Sequence, residues 1–289
     1  MRLGFLTYLC WWRYGPFWQG LVEAAELTPV QVSAEAVRAH LTQPDVTNIG
    51  PLAFQLAAAE ALALQDCDAL VVPRVNPEAD VHNPVHKGAA QDPWLASFPE
   101  VLQTQFRALP PLLAVPMALP TGPSDPSFAA FEGVATTLLT GLLHNPGQVR
   151  RIWQSWRGRV SSFVSRPKPV TWQRASHTTV GVIAQPWNLG YLEDEVLEQL
   201  FNKDEHIVHQ GQFAQIDLHD EGRRLEMSLL DSDLEVLGAA RLMGRRGSVS
   251  KLVFIADEGS STDSWLARRI QDISHKPVEV LTLQSLVEF

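Results

Sequence analysis

A chain of 289 residues, 45% of them hydrophobic, is long enough for two α/β domains of ordinary size, each with its own core. Its two cysteines exclude a disulfide framework and a four-cysteine metal site within one chain. The formal net charge of −9 disfavours general nucleic-acid binding, and no apolar run approaches the roughly 18–20 residues that span a membrane. The first residues run straight into a strand-like segment without a signal-peptide pattern, so a cytoplasmic protein is expected.

In chain order, Arg2-Leu-Gly-Phe-Leu-Thr-Tyr8 is a short strand-like run that breaks into a Pro- and Trp-rich loop. Residues 14–27 read as a helix with Phe17, Leu21, Ala24 and Ala25 on one face. Next come a short strand over 29–33, an Ala-rich helix over 52–64 and a buried-type strand over 68–73. A helix over 98–109 and a strand over 112–116 follow. Residues 128–156 read as helical with a break at Asn145-Pro-Gly147, and 165–177, with Pro167 and Pro169, read as a linker.

The opening pattern then returns. Thr179-Val-Gly-Val-Ile-Ala184 is a strand, Gln185-Pro-Trp-Asn-Leu-Gly190 a loop, and 193–201 an amphipathic helix. A strand over 206–210 leads to an irregular acidic region and a helix over 233–243. A strand over 252–256, a helix over 264–274 and a strand over 278–283 close the series. Strands alternating with helices predict an α/β protein with mostly parallel sheets. Two openings predict two Rossmann-like domains, residues 1–145 and 179–289, with a cleft between them. They are joined by a basic helical and Pro-containing segment over 146–178. From Gly133 to Leu192 there is no acidic residue, while Arg150, Arg151, Arg157, Arg159, Arg166, Lys168 and Arg174 are all basic.

Several short motifs together resemble the 2-hydroxyacyl-CoA dehydratase component family and the related domain of unknown function associated with CoA-dehydratase activases. They are Gly4-Phe-Leu-Thr-Tyr8 with Tyr14-Gly-Pro-Phe-Trp18, Ile49-Gly-Pro51, Asp68–Arg74 ending in Pro-Arg, Gly181-Val-Ile-Ala-Gln-Pro-Trp-Asn-Leu189, and Asp257-Glu-Gly-Ser-Ser-Thr-Asp-Ser264. The resemblance implies the two-domain fold and a ligand cleft that can take a CoA-type molecule. Active members hold an iron–sulfur cluster on cysteines from these loops. Here the corresponding positions fall on Ile49, within about a residue, and on Ser260, neither of which offers a thiolate. Cys10 and Cys67 do not match the motif, and Cys67 reads as a core thiol. The resemblance therefore implies a degenerate, cluster-less relative with no cofactor and no metal, one that binds a small ligand or a partner subunit.

Candidate ligand residues are Tyr8, Trp11, Trp12, Pro73, Arg74, Trp187, Asn188, Gly259 and Ser260: rings for stacking, Arg74 for an anion, backbone and hydroxyls for hydrogen bonds. Trp187 and Asn188 read equally as a packing anchor and a turn residue. The loop 257–264 reads either as an anion site at a helix N-terminus or as a helix cap supplied by Thr262 or Asp263. Asp257 and Glu258 are weak candidates for proton transfer in an alternative reading, a metal-independent enzyme acting on a CoA thioester. A third reading makes the chain a structural subunit that docks on a dehydratase-like partner through the basic middle, Arg150–Arg159, with a homo-oligomer as the other partner considered; a surface helix with its tryptophans inward is the simpler account. Glu78, Asp80, His82 and His86 have metal-like density, but Pro77 and Pro84 argue for a solvated loop. His206 and His209 sit at an odd offset on a strand and do not pair. A Gly-x-Ser-x-Gly elbow, a P-loop and a Gly-x-Gly-x-x-Gly turn are all absent from the sequence, which speaks against nucleophilic hydrolysis and a standard dinucleotide site.

Overall fold

The computed structural model describes residues 1–75, 92–164, 170, 178–190, 201, 205–225 and 230–285. The cluster Glu78, Asp80, His82 and His86, most of the expected linker and all but the last residue of the helix expected over 193–201 lie outside them. The chain divides into two units that each draw on several segments. Unit 1 holds Met1–Ile49, Phe54–Pro77 and Ala96–Ser165; unit 2 holds Gly50–Ala53, Glu78–Leu95 and Arg166–Phe289.

In unit 1, strands β1 (Arg2–Phe5), β2 (Thr28–Val30), β3 (Ala69–Arg74) and β4 (Leu112–Pro116) form one parallel sheet in the order β2-β1-β3-β4. The helices are α1 (Trp11–Ala24), α2 (Ala34–Leu41), α3 (Pro44–Thr47), α4 (Leu52–Ala63), α5 (Pro93–Gln105), α6 (Phe128–Leu143), α7 (Pro146–Trp156) and α8 (Val160–Phe163), with the first residues of α4 and α5 belonging to unit 2. Helix α4 is apolar nearly all round and correspondingly buried, with Ala57, Ala58, Ala59 and Ala61 fully covered.

Trp11, Trp12 and Arg13, expected in a loop, form the first turn of α1. Pro16 is tolerated inside that helix because it lies on the exposed side with Trp12, whose carbonyl it leaves unbonded. Helix α5 starts earlier than expected and kinks at Ser97, two residues before Pro99. Helix α7 buries Val149, Ile152, Trp153 and Trp156 at helical spacing and leaves Arg150 and Arg151 exposed. It packs on α6 and α1, within unit 1.

Unit 2 repeats the plan. Strands β5 (Thr178–Ala184), β6 (Glu205–His209), β7 (Val249–Ala256) and β8 (Val278–Thr282) form a parallel sheet in the order β6-β5-β7-β8. Helices α9 (Pro186–Leu189), α10 (Gln215–Arg223), α11 (Asp231–Gly244) and α12 (Ser261–Ile273) connect them. Its core includes Ile183, Val208, Leu237, Phe254 and Leu266. The region expected to be irregular contains α10, which buries only Leu218 and Gly222 and so shows almost no apolar period.

The repeated opening has a structural counterpart. Gly4 lies opposite Leu70 in the first sheet, and Gly181 opposite Leu252 in the second. A Cβ at Gly4 would stand 2.6 Å from Leu70 and 3.2 Å from Leu64, and one at Gly181 would stand 2.8 Å from Leu252 and 3.0 Å from Met243. Each glycine lets the helix that leads into the neighbouring strand, α4 before β3 and α11 before β7, close onto the sheet. Among the described residues, no helix is long and apolar enough to cross a membrane.

Candidate functional site

In an open parallel sheet, ligands lie outside the carboxyl ends of the strands, where the strand order reverses. That place is beyond β1 and β3 in unit 1 and beyond β5 and β7 in unit 2.

In unit 1 the chain after β1 is held by buried side chains: the Tyr14 hydroxyl donates to the Leu6 carbonyl at 2.6 Å, and a carboxylate takes the next residues. Glu60 on α4 accepts hydrogen bonds from the backbone N–H of Thr7 at 2.8 Å, the Thr7 hydroxyl at 2.6 Å and the N–H of Tyr8 at 3.1 Å. Burial pushes its carboxyl up to about 7, against the downward pull of those donors. Tyr8 is half-buried, and burial followed by the nearby Glu60 raises its phenol. Trp11 lies edge-on to Phe5 and Tyr14, with its ring over Gly15, where a Cβ would come within 2.1 Å. Trp12 is 41% exposed. Pro73 is buried at the end of β3, while Arg74 pairs with Glu100 at 2.8 Å, so its charge already has an anionic partner. Arg157 and Arg159 lie over Phe128 and Trp156, which gives two of the expected partner-binding arginines intramolecular contacts.

Unit 2 gathers a denser group. Gln185, Asn188, Gln210, Asp233, Asp257, Ser260, Thr262, Asp263 and Asp92 are all buried. The expected caps Thr262 and Asp263 do not cap α12. Ser260 does: its hydroxyl accepts from Asp263 N–H at 2.9 Å and donates to Asp92 Oδ2 at 2.6 Å. Asp92 also accepts from the N–H and hydroxyl of Ser261, at 3.0 and 2.9 Å, and its own N–H donates to Thr262. An internal carboxylate thus occupies the helix N-terminus that the sequence offered to an external anion.

Asn188 Nδ2 donates to Asp263 Oδ2 at 3.1 Å, and the N–H of Asp257 donates to the same oxygen at 2.8 Å. Gln185 Nε2 donates to Asp233 Oδ1 at 3.0 Å, and Gln210 Oε1 accepts from Ala184 N–H at 3.4 Å. Trp187, expected to stack on a ligand, is buried and lies edge-on to Trp94. Gly259 packs its backbone against Gly50 and Pro51, where a Cβ would stand 3.1 Å from Pro51.

Asp257 and Glu258 differ sharply. Glu258 is exposed, whereas Asp257 is buried and accepts from Gly259 N–H, Gln284 Nε2 and Ala53 N–H. Burial raises Asp257, raises Asp263 well above the carboxylate range and takes Asp233 to about 7.

Sequence reasoning passed over Glu60, Asp92, Gln210 and Asp233 as functional candidates. Glu60 carries a signal, a single acid in an Ala-rich apolar run; Asp92 meets Ser260 across 168 residues, a pairing that no local pattern encodes.

The residues do not fit an iron–sulfur cluster. Cys10 lies past the carboxyl end of β1 and Cys67 before the amino end of the parallel neighbour β3, so they stand at opposite strand ends of one sheet. Both are buried, and burial raises the Cys67 thiol further from the thiolate that a cluster needs. Ser260, where the resemblance expects a cysteine, has both hydrogen-bonding roles filled by protein. Among the described residues, no group of three or more His, Cys, Asp or Glu side chains is arranged to hold a metal ion. Comparison with family models, with curated proteins and with solved structures finds no match to this chain.

Proposed function

We propose that this chain is a cluster-less relative of the 2-hydroxyacyl-CoA dehydratase components, built of two Rossmann-like domains, that binds a small CoA-type ligand rather than carrying out electron-driven dehydration. One observation carries the reading. The loops that the resemblance assigns to the cluster meet in unit 2, Gly259 against Gly50 and Pro51, and at their junction Ser260 is tied into a protein hydrogen-bond network instead of presenting a metal-binding thiolate. The ligand lies at the strand carboxyl ends of unit 2, where the exposed Glu258 and the backbone after β7 border the buried group.

Calorimetric titration with CoA and a short acyl-CoA series tests this. Saturable binding, weakened at least tenfold by Gly259→Val, is expected. Absence of heat at millimolar ligand overturns the CoA assignment. Reconstitution with iron and sulfide is expected to leave the protein colourless, and an iron–sulfur absorbance band that forms in the unsubstituted protein and is lost in Cys10→Ala with Cys67→Ala would overturn the cluster-less assignment.

A further inference from the structure

Two buried amides in unit 2 are tied to buried carboxyls through their nitrogens: Asn188 to Asp263 Oδ2 and Gln185 to Asp233 Oδ1. The opposite atoms of these amides, Asn188 Oδ1 and Gln185 Oε1, are buried with no donor, and Asp263 Oδ1 is likewise unpartnered. Acceptors left bare in a protein interior are strongly disfavoured, so three at one place demand a cause. A primary amide lying beside a carboxylic acid can share two hydrogen bonds with it, N–H to one oxygen and O–H back to the amide oxygen. A proton on Asp263 Oδ1 supplies the donor that Asn188 Oδ1 lacks and satisfies both bare atoms with one bond. A proton on Asp233 gives Gln185 Oε1 the donor that it lacks.

We propose that Asp263 and Asp233 are neutral acids in the folded protein, each closed into a two-bond ring with Asn188 or Gln185, and that these two protons latch the turn after β5 onto the first turns of α12 and α11 until rising pH removes them. This goes beyond ligand binding and does not rest on it. The surroundings favour the neutral forms. Burial is the main cause for both acids, and the charges acting on them are further acids: Asp257, Asp92 and Asp233 on Asp263, and Asp92 on Asp233. Cations on the neighbouring elements are engaged elsewhere. On α10, His219 faces Glu235 and Asp231; Arg241 of α11 pairs with Glu221; Lys251 of β7 pairs with Glu279 and Glu205. Arg268 and Arg269 stand in later turns of α12, and α9 has no titratable side chain.

Ionisation sets a carboxylate oxygen against an amide oxygen, two acceptors without a proton between them, and opens the ring. The folded state holds these protons more tightly than the unfolded chain. Stability is therefore complete at low pH and falls as pH rises from the ordinary carboxylate value through the folded one. The decline reaches up to tenfold in the folding equilibrium per pH unit for each acid.

The test combines carboxyl-carbon NMR of aspartate-labelled protein with unfolding curves between about pH 5 and about pH 9. Protonated aspartate signals near neutrality are expected, one vanishing in Asp263→Asn and another in Asp233→Asn. Each asparagine replaces the acid O–H with an amide N–H, so the variants should fold and lose part of the decline with rising pH. A decline parallel to that of the unsubstituted protein overturns the proposal. Should a variant not fold, fewer than two protonated aspartates at about pH 6 in the unsubstituted protein overturns it as well.

Discussion

Glu60 is the single charged residue on α4 and anchors the chain just past β1, accepting from Thr7 twice and from Tyr8. Removing it strands buried donors, so Glu60→Ala is expected to cost roughly 3 kcal/mol in denaturant unfolding. Glu60→Gln keeps an acceptor in place and should cost less. Because burial holds the folded carboxyl at about 7, above its ordinary 4.5, the folded state binds the extra proton and its stabilising share is lost as pH rises through that window. Glu60→Gln should flatten this part of the stability profile, by roughly 3 kcal/mol at most for a shift of this size. A profile unchanged by the substitution would mean that Glu60 is ionised in the folded protein throughout. The sequence makes such a residue visible, since an acid among alanines and leucines must face a partner. It could not name the partner.

Among the elements, α10 and α11 approach each other closely. A Cβ at Gly238 would stand 1.9 Å from the Leu218 carbonyl, and one at Gly222 would stand 2.3 Å from that of Leu234. Both helices present backbone to backbone, which only glycine allows. Gly238→Ala must therefore force the pair apart, at a cost of about 2–3 kcal/mol measured by thermal or denaturant unfolding. The same feature explains why α10 was not legible. A helix that packs through glycine and one leucine has no hydrophobic stripe, and its acidic residues read as loop. The inner strands β3, β5 and β7 were legible because they are rich in β-branched and aliphatic residues. Helix α1 was misjudged at its start because Cys10, which precedes Trp11, supplies no side-chain cap that would mark the first turn. The candidate site was half legible. Asn188, Asp257, Gly259 and Ser260 stand out in short motifs after their strands, whereas Asp92, Gln210 and Asp233 are positioned by tertiary packing.

At the scale of the whole molecule, the recurrence seen in the sequence becomes the same strand order in two sheets, with a glycine at the same place in the first strand of each. Gly4→Ala and Gly181→Ala should consequently act alike, each destabilising by roughly 1–3 kcal/mol as the helix above is pushed off the sheet. A marked inequality would mean that one unit tolerates repacking and the other does not. The basic stretch behaves differently from its appearance in the sequence. Trp153 and Trp156 face inward and Arg157 and Arg159 lie over aromatic rings, leaving Arg150 and Arg151 exposed. Arg150→Glu with Arg151→Glu is expected to shift stability by no more than about 0.5 kcal/mol. Loss of a co-purifying acidic partner in that variant would support docking through α7.

Unit 2 recruits Gly50–Ala53 and Asp92 from the first half of the chain, and Asp92 meets Ser260 across 168 residues. On a ribosome, those early segments emerge long before β7 and α12 exist. Unit 1 is complete by residue 165 and can fold as it is made, but unit 2 cannot close until its late segments reach back to Gly50–Ala53 and Asp92. A fragment starting at residue 166 would carry all four strands of the second sheet and still leave Ser260, Ser261 and Thr262 without Asp92. The two halves of this molecule are repeats in architecture but not separable modules in assembly.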